Sequence, residues 1–310
     1  MTTIEASNHS IAVVTPTYLP DLSRCELLAR SLDRTSPDVP HYLVVDRRDR
    51  WAFKHLETGR RRLIESEALL GKWIWRMPGR RSFWFSLKAP PVRGWIIQQI
   101  LKIASIDAIP EQTLVFCDSD TAFFRHFDRE DILVDGKVGL LDVGMAGDPK
   151  WTTVARRLLG LAQHDGASRN HVGNMICWNR ETVKMMQQRI ETSTGMDWRV
   201  ALARTTNFSE YMVYGIFVSE VLGYDAVNHA PSSVPLVRAS WHTPLATDSA
   251  IDAFFTDFDS RTVAVMIHSK DSVDPVRYRH HLERLWSAGD KKLAPDIRGG
   301  VRYSADANDV

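Results

Sequence analysis

Short apolar runs of strand length recur along the chain, with stretches of helical spacing between them. Ile11-Ala12-Val13-Val14-Thr15 is the first such run, and Pro16 and Pro20 force a loop after it. Ser23 then stands as a helix cap, with Glu26 at the capping-box position and Leu27, Leu28 and Leu32 behind it. Pro37 and Pro40 break the chain again before a second run, His41-Tyr42-Leu43-Val44-Val45, which ends in Asp46. A strand, a helix and a strand in quick succession predict a βαβ unit and a parallel sheet. Pro91 to Ser105 has helical spacing, with Ile96, Ile97, Ile100, Leu101 and Ala104 on an apolar face. The strand-like run Leu114-Val115-Phe116-Cys117 follows.

The later chain is less regular. Strands are expected at Val138–Val143, Met175–Trp178 and Val263–Ile267. Helices are expected at Trp151–Ala162, Arg180–Ile190, from Phe208 to about Leu222, and from Val276 to Trp286. The fold class that follows is α/β: one Rossmann-like domain with a mostly parallel central sheet flanked by helices. We expect a loose N-terminus over 1–10, a domain over 11–290 and a polar tail over 291–310. Within the domain, 11–135 reads as a nucleotide-type front half and 136–290 as a more specialised back half.

Two aromatic or basic stretches interrupt the pattern. Arg47, Arg48, Arg50, Arg60, Arg61 and Arg62 crowd one segment, which reads as a solvated face or as an anion-facing patch. Residues 71–87 mix Trp73, Trp75, Phe83, Trp84 and Phe85 with arginines, and Gly71, Pro78 and Gly79 exclude one regular element. That loop either packs on the core or covers a sugar or nucleotide.

The bulk numbers remove several function classes. The 310 residues are long enough for a sizeable core, and a net charge of +1 gives no general case for nucleic-acid binding. Three widely spaced cysteines form neither a metal pattern nor a disulfide framework. No apolar run approaches a membrane span, and no signal-peptide pattern is visible. The expected location is the cytoplasm, with peripheral contact at the inner face of the membrane left open.

The chemistry concentrates at Asp118-Ser119-Asp120, where the third strand ends. Side chains at i and i+2 of a strand point the same way, so the two carboxylates converge at the carboxyl edge of the sheet. Paired carboxylates suit Mn²⁺ or Mg²⁺, hard ions that bridge to phosphates. A turn with a helix cap gives the same residues without any metal.

Taken together, these features resemble a glycosyltransferase of the GT-A fold carrying a D-x-D motif. The elements are Val13-Val14-Thr15-Pro16-Thr17-Tyr18, Asp46, Asp118-Ser119-Asp120, and two flanking motifs. These read Gly94-Trp95-Ile96-Ile97-Gln98-Gln99-Ile100-Leu101-Lys102 and Ser209-Glu210-Tyr211-Met212-Val213-Tyr214-Gly215, and they resemble an uncharacterised bacterial set, DUF6492-like. The resemblance implies a nucleotide-diphosphate sugar donor, a UDP- or GDP-sugar, with Mn²⁺ or Mg²⁺ held by Asp118, Asp120 and a late histidine. His268 is the first candidate for that histidine and His242 its competitor. Thr15, Thr17, Tyr18, Asp46, Gln98, Lys102, Asp118, Ser119 and Lys270 are then expected around the donor. Asn174, Tyr211 and Tyr214 are expected near a saccharide, lipid-linked or small-molecule acceptor. Inverting transfer needs a carboxylate to take the acceptor's proton, and Glu210 is the candidate.

Two other classes compete. A haloacid-dehalogenase-type phosphatase also carries D-x-D, but it wants Thr or Val four residues after the first Asp, where this chain has Ala122. A non-catalytic sugar-binding protein would keep the fold without needing the acids.

Overall fold

The computed structural model describes residues 10–77, 83–144, 147–163, 168–241 and 243–293. Its centre is a five-stranded sheet in the order Ile176–Asn179, Thr113–Phe116, Ile11–Pro16, His41–Val45, Arg61–Glu65. The last four strands are parallel, and Ile176–Asn179 runs antiparallel at one edge. The expected α/β architecture with a mostly parallel sheet is therefore what the chain adopts. The three central strands are buried along their whole length, which is why they read as continuous apolar runs.

Helix Leu22–Thr35 follows the first strand, and helix Gly94–Ala104 precedes the strand Thr113–Phe116. Ala12, Val14, Leu114 and Phe116 share one apolar core with Ile96, Ile97, Ile100 and Ile103 of the latter helix. Val13, Val115 and Cys117 belong to a second core with Leu28 and Leu32. The alternation along the strands thus sends odd and even residues to opposite layers.

Three smaller sheets adjoin the central one. Thr121–Phe123 pairs antiparallel with Ala264–Met266, in the register Met266↔Thr121. Lys137–Leu141 pairs with His229–Ser232, and Ile74–Arg76, Phe83–Ser86 and Val92–Arg93 form an antiparallel sheet of their own. Neither this last sheet nor the strand Arg61–Glu65 follows from the apolar pattern, because aromatic and arginine side chains supply their strand-forming positions. The expected late helix is split: Glu210–Ile216 is α-helical and Phe217–Leu222 winds more loosely as a π-helix.

The arginine-rich segment is largely neutralised within the fold. Arg47 pairs with Glu65, Arg48 with Asp49, Arg50 with Glu57, and both Arg60 and Arg61 with Asp33. Arg61 is buried and also donates to the carbonyls of Ala29 and Leu56. An anion-facing patch here is corrected to a set of internal pairs.

Candidate functional site

The central strand Thr113–Phe116 delivers Asp118 and Asp120 to the carboxyl edge of the sheet, beside the loop that leaves the neighbouring strand Ile11–Pro16. Asp118 is held by its backbone: its N–H donates to Asn174 Oδ1 at 3.1 Å. The Asn174 amide in turn donates to Thr121 Oγ1 at 2.6 Å. Met175, next in the chain, has a φ of 54° and donates its own N–H to Asn174 Oδ1. Asn174 is thus a buried brace of the mouth, not the expected open acceptor contact.

Asp120 is the more enclosed acid. Its Oδ2 accepts from the Ser269 N–H at 2.9 Å, and its Oδ1 is buried with no hydrogen-bond partner. Burial, then the neighbouring Asp118, pushes its carboxyl up to about 7. The pairing of Thr121 with Met266 brings Ser269 here, since the chain turns just beyond that strand.

Asp21 joins the two acids. Ser119 Oγ donates to Asp21 Oδ2 at 3.3 Å, and Arg24 lies 3.8 Å from Asp21 Oδ1. Burial raises the Asp21 carboxyl, Arg24 opposes the rise, and Asp118 adds to it. The sequence signal for Asp21 is topological: it follows the first strand, so it lies at the same sheet edge as the D-x-D.

Lys102 ties the site to the late helix. Its Nζ lies 3.3 Å from Asp118 Oδ1, 3.1 Å from Glu210 Oε1 and 2.6 Å from Tyr211 Oη. Burial works against the ammonium, but Asp118, Tyr211 and Glu210 outweigh it and hold the amine well above its usual range. Glu210 is pushed up by its own burial despite Lys102. The lysine is the better placed of the pair to carry charge, because three oxygens face it. Gln99, one helical turn before Lys102, accepts the Glu210 N–H at 2.9 Å. Gln98, the expected ligand residue, is only half-buried. The spacing of three between Gln99 and Lys102 is the signal that singles out Gln99.

Several other expected residues are buried. Thr15 is fully buried and its hydroxyl meets His41 Nε2 at 3.1 Å. Tyr214 is fully buried, stacked on Trp178 with centroids 5.0 Å apart, and its hydroxyl contacts His229 Nε2 at 2.9 Å. Tyr211 is enclosed with its hydroxyl on Lys102. Both tyrosines expected near the acceptor are buried. Glu210, the expected general base, is 4% exposed, with its carboxylate 3.1 Å from Lys102 Nζ. The apolar environment that makes these residues look like a motif is core packing.

Asp46 is buried, engaged by Arg76 and by Ser66 Oγ at 2.9 Å. Tyr18 is exposed, and Thr17 Oγ1 is buried without a partner. Lys270 is exposed, and its N–H donates to His268 Nδ1 at 3.3 Å. His242 lies outside the described residues.

The donor set fits a hard divalent cation. It offers oxygens only, and Asp120 Oδ1 is a buried acceptor that nothing satisfies. Asp118, Asp120 and His268 nonetheless do not come within 4.8 Å of one another as a trio; among the described residues the trio that does is Asp252, His280 and His281. That trio is already engaged: His281 Nε2 sits 3.0 Å from Asp252, and its Nδ1 meets the Arg284 guanidinium. Both ring nitrogens are thereby used. All three cysteines, Cys25, Cys117 and Cys177, are free and buried.

The model of a family of unknown function, DUF6492, matches residues 7–289. Among solved structures, an active-site mutant of LgtC is similar at 11% identity and a TM-score of 0.45, over 89% of this chain and 95% of that one. No curated protein matches the chain. No helix among the described residues is long and apolar enough to cross a membrane.

Proposed function

Because the chain belongs to DUF6492, a family of unknown function, its activity has to be read from its own site, and we propose a metal-assisted glycosyltransferase. In this reading it moves a sugar from a nucleotide-diphosphate donor to an acceptor hydroxyl. The observation that carries the proposal is Asp120 Oδ1: a buried, unpartnered carboxylate oxygen beside Asp118 at the carboxyl edge of a parallel sheet. Mn²⁺ or Mg²⁺ held there by Asp120 and Asp118 would neutralise charge on the departing diphosphate. Asp21, which accepts from Ser119 Oγ, is a further carboxylate that could join them, with His268 the alternative.

The chain's own residues supply the rest. Lys102 keeps a fixed positive charge 3.3 Å from Asp118 and orients that carboxylate. Glu210 and Tyr211 position Lys102 and do not touch substrate in this scheme. Asn174 locks the turn that carries Asp118. Thr17, Tyr18 and Asp46 line the neighbouring strand ends, where a nucleoside would lie, and Lys270 is free to swing toward phosphate.

The test is calorimetric titration of UDP, GDP, CMP and dTDP, each with and without Mn²⁺, against wild type and Asp120→Asn. One diphosphate binding only with metal, and only to wild type, supports the proposal and names the donor nucleotide. Failure of all four, with phosphate released from a generic phosphoester, points instead to the phosphatase reading.

A further inference from the structure

From Ala68 to Ile106 the chain carries no Asp or Glu. The same stretch builds the antiparallel sheet of Ile74–Arg76, Phe83–Ser86 and Val92–Arg93. One face of that sheet is packed inward through Ile74, Trp84 and Val92, all in the main core. The opposite face carries the cross-strand partners Trp75 and Phe85, with ring centroids 5.0 Å apart. They are 40% and 39% exposed, and Leu87 just beyond is 71% exposed.

Arg93 shares this face through its register with Phe83, and Lys72 and Lys88 flank the sheet in sequence, Lys88 Nζ 6.0 Å from the Trp73 ring centroid. Lys72, Lys88 and Arg93 are exposed, and no acid among the described residues pairs with them. The contrast with the arginine-rich segment at 47–62 is direct, since there the fold provides an acid for nearly every arginine. An aromatic and aliphatic patch on a stretch that carries cations and no acid is complementary to anionic lipid headgroups over an apolar interior. Aromatic rings favour the boundary between the two.

We infer that the Trp75–Phe85 face of this small sheet docks the protein on an anionic lipid bilayer. The inference rests on this face alone and stands or falls separately from the transferase reading. The sheet is also tied to the site: Arg76, on its inward side, engages Asp46 at the end of the second strand of the main sheet. Docking would therefore bring the mouth of the main sheet close to the bilayer, where a lipid-linked acceptor is found.

The experiment is co-sedimentation of the full chain with vesicles of phosphatidylcholine alone and of phosphatidylcholine with phosphatidylglycerol in equal parts. Wild type should bind the mixed vesicles only, and added salt should release it. The double variant Trp75→Ala/Phe85→Ala should bind at least about ten-fold more weakly. Lys88→Gln/Arg93→Gln should lose about five-fold per charge removed, and its exposed positions make it the control for folding. Thermal melts matching wild type confirm that a loss is not unfolding. Equal binding to neutral vesicles, no vesicle binding at all, or binding by both variants at the wild-type level would each overturn the inference. So would fluorescence quenching at Trp75 by soluble oligosaccharides in a protein that ignores vesicles, which would assign the face to sugar.

Discussion

Replacing Asp120 by asparagine should stabilise the metal-free protein, and the gain should grow with pH. The carboxyl ordinarily ionises near 3.8, but in the fold it holds its proton until about 7. Between those values the unfolded chain has released a proton that the folded chain keeps. The stability linked to this proton is therefore full below 3.8 and is lost as pH rises to about 7. At 1.36 kcal/mol per pH unit the loss is about 4 kcal/mol at pH 8. Asparagine keeps an acceptor for the Ser269 N–H and never ionises, so it escapes the loss. For a chain of this size the unfolding entropy is about 0.65 kcal/mol per degree, so the variant should melt roughly 7 °C higher at pH 8. At pH 4 the two should nearly coincide. Melting curves by circular dichroism from pH 4 to 8 in chelator measure this directly. Adding Mn²⁺ should reverse the order, because only wild type keeps the Asp120 carboxylate to hold the ion beside Asp118. A melting difference that stays flat across this range, or an asparagine variant less stable than wild type at pH 8 in chelator, would refute the reasoning.

Other perturbations test the neighbouring contacts. Lys102→Met should cost about 3–5 kcal/mol in urea melts, because it strands Glu210 without a counter-charge; adding Glu210→Gln should recover part of that loss. Glu210→Gln alone should slow sugar transfer by less than about ten-fold, and a loss of 10² or more would restore it as the general base. Gly215→Ala should destabilise by about 1–3 kcal/mol, since a Cβ there would lie 2.1 Å from the His171 ring, and denaturant titration reads this out.

The first βαβ unit over 11–45, the helix Gly94–Ala104 and the strand Thr113–Phe116 were legible, because local apolar pattern and prolines dictate them. The position of the D-x-D at the carboxyl edge was legible from the apolar run before it, although Asp118 and Asp120 themselves lie in the turn beyond the strand Thr113–Phe116. The roles of Glu210, Tyr211 and Tyr214 were not. A helix start rich in acid and aromatic residues reads like a binding surface, and only packing against Gly94–Ala104 and Ile176–Asn179 shows that it is interior. Gln99 and Asp21 escaped notice because their partners, Glu210 and Ser119, are distant in sequence. The small antiparallel sheet was hidden by its own tryptophans, which serve the core at Trp84 and the surface at Trp75.

The buried cysteines make the folded protein chemically silent to thiol reagents. Burial pushes Cys25 and Cys177 up to about 12 and Cys117 well above its usual range, so none presents a thiolate at neutral pH. Alkylation of the native chain can therefore proceed only as fast as the structure opens. Cys117 immediately precedes Asp118, so its labelling rate is a clock on the loosening of the D-x-D strand itself. Any single cysteine introduced on the surface would be the one prompt target, a ready position for a fluorophore that needs no prior removal of native thiols.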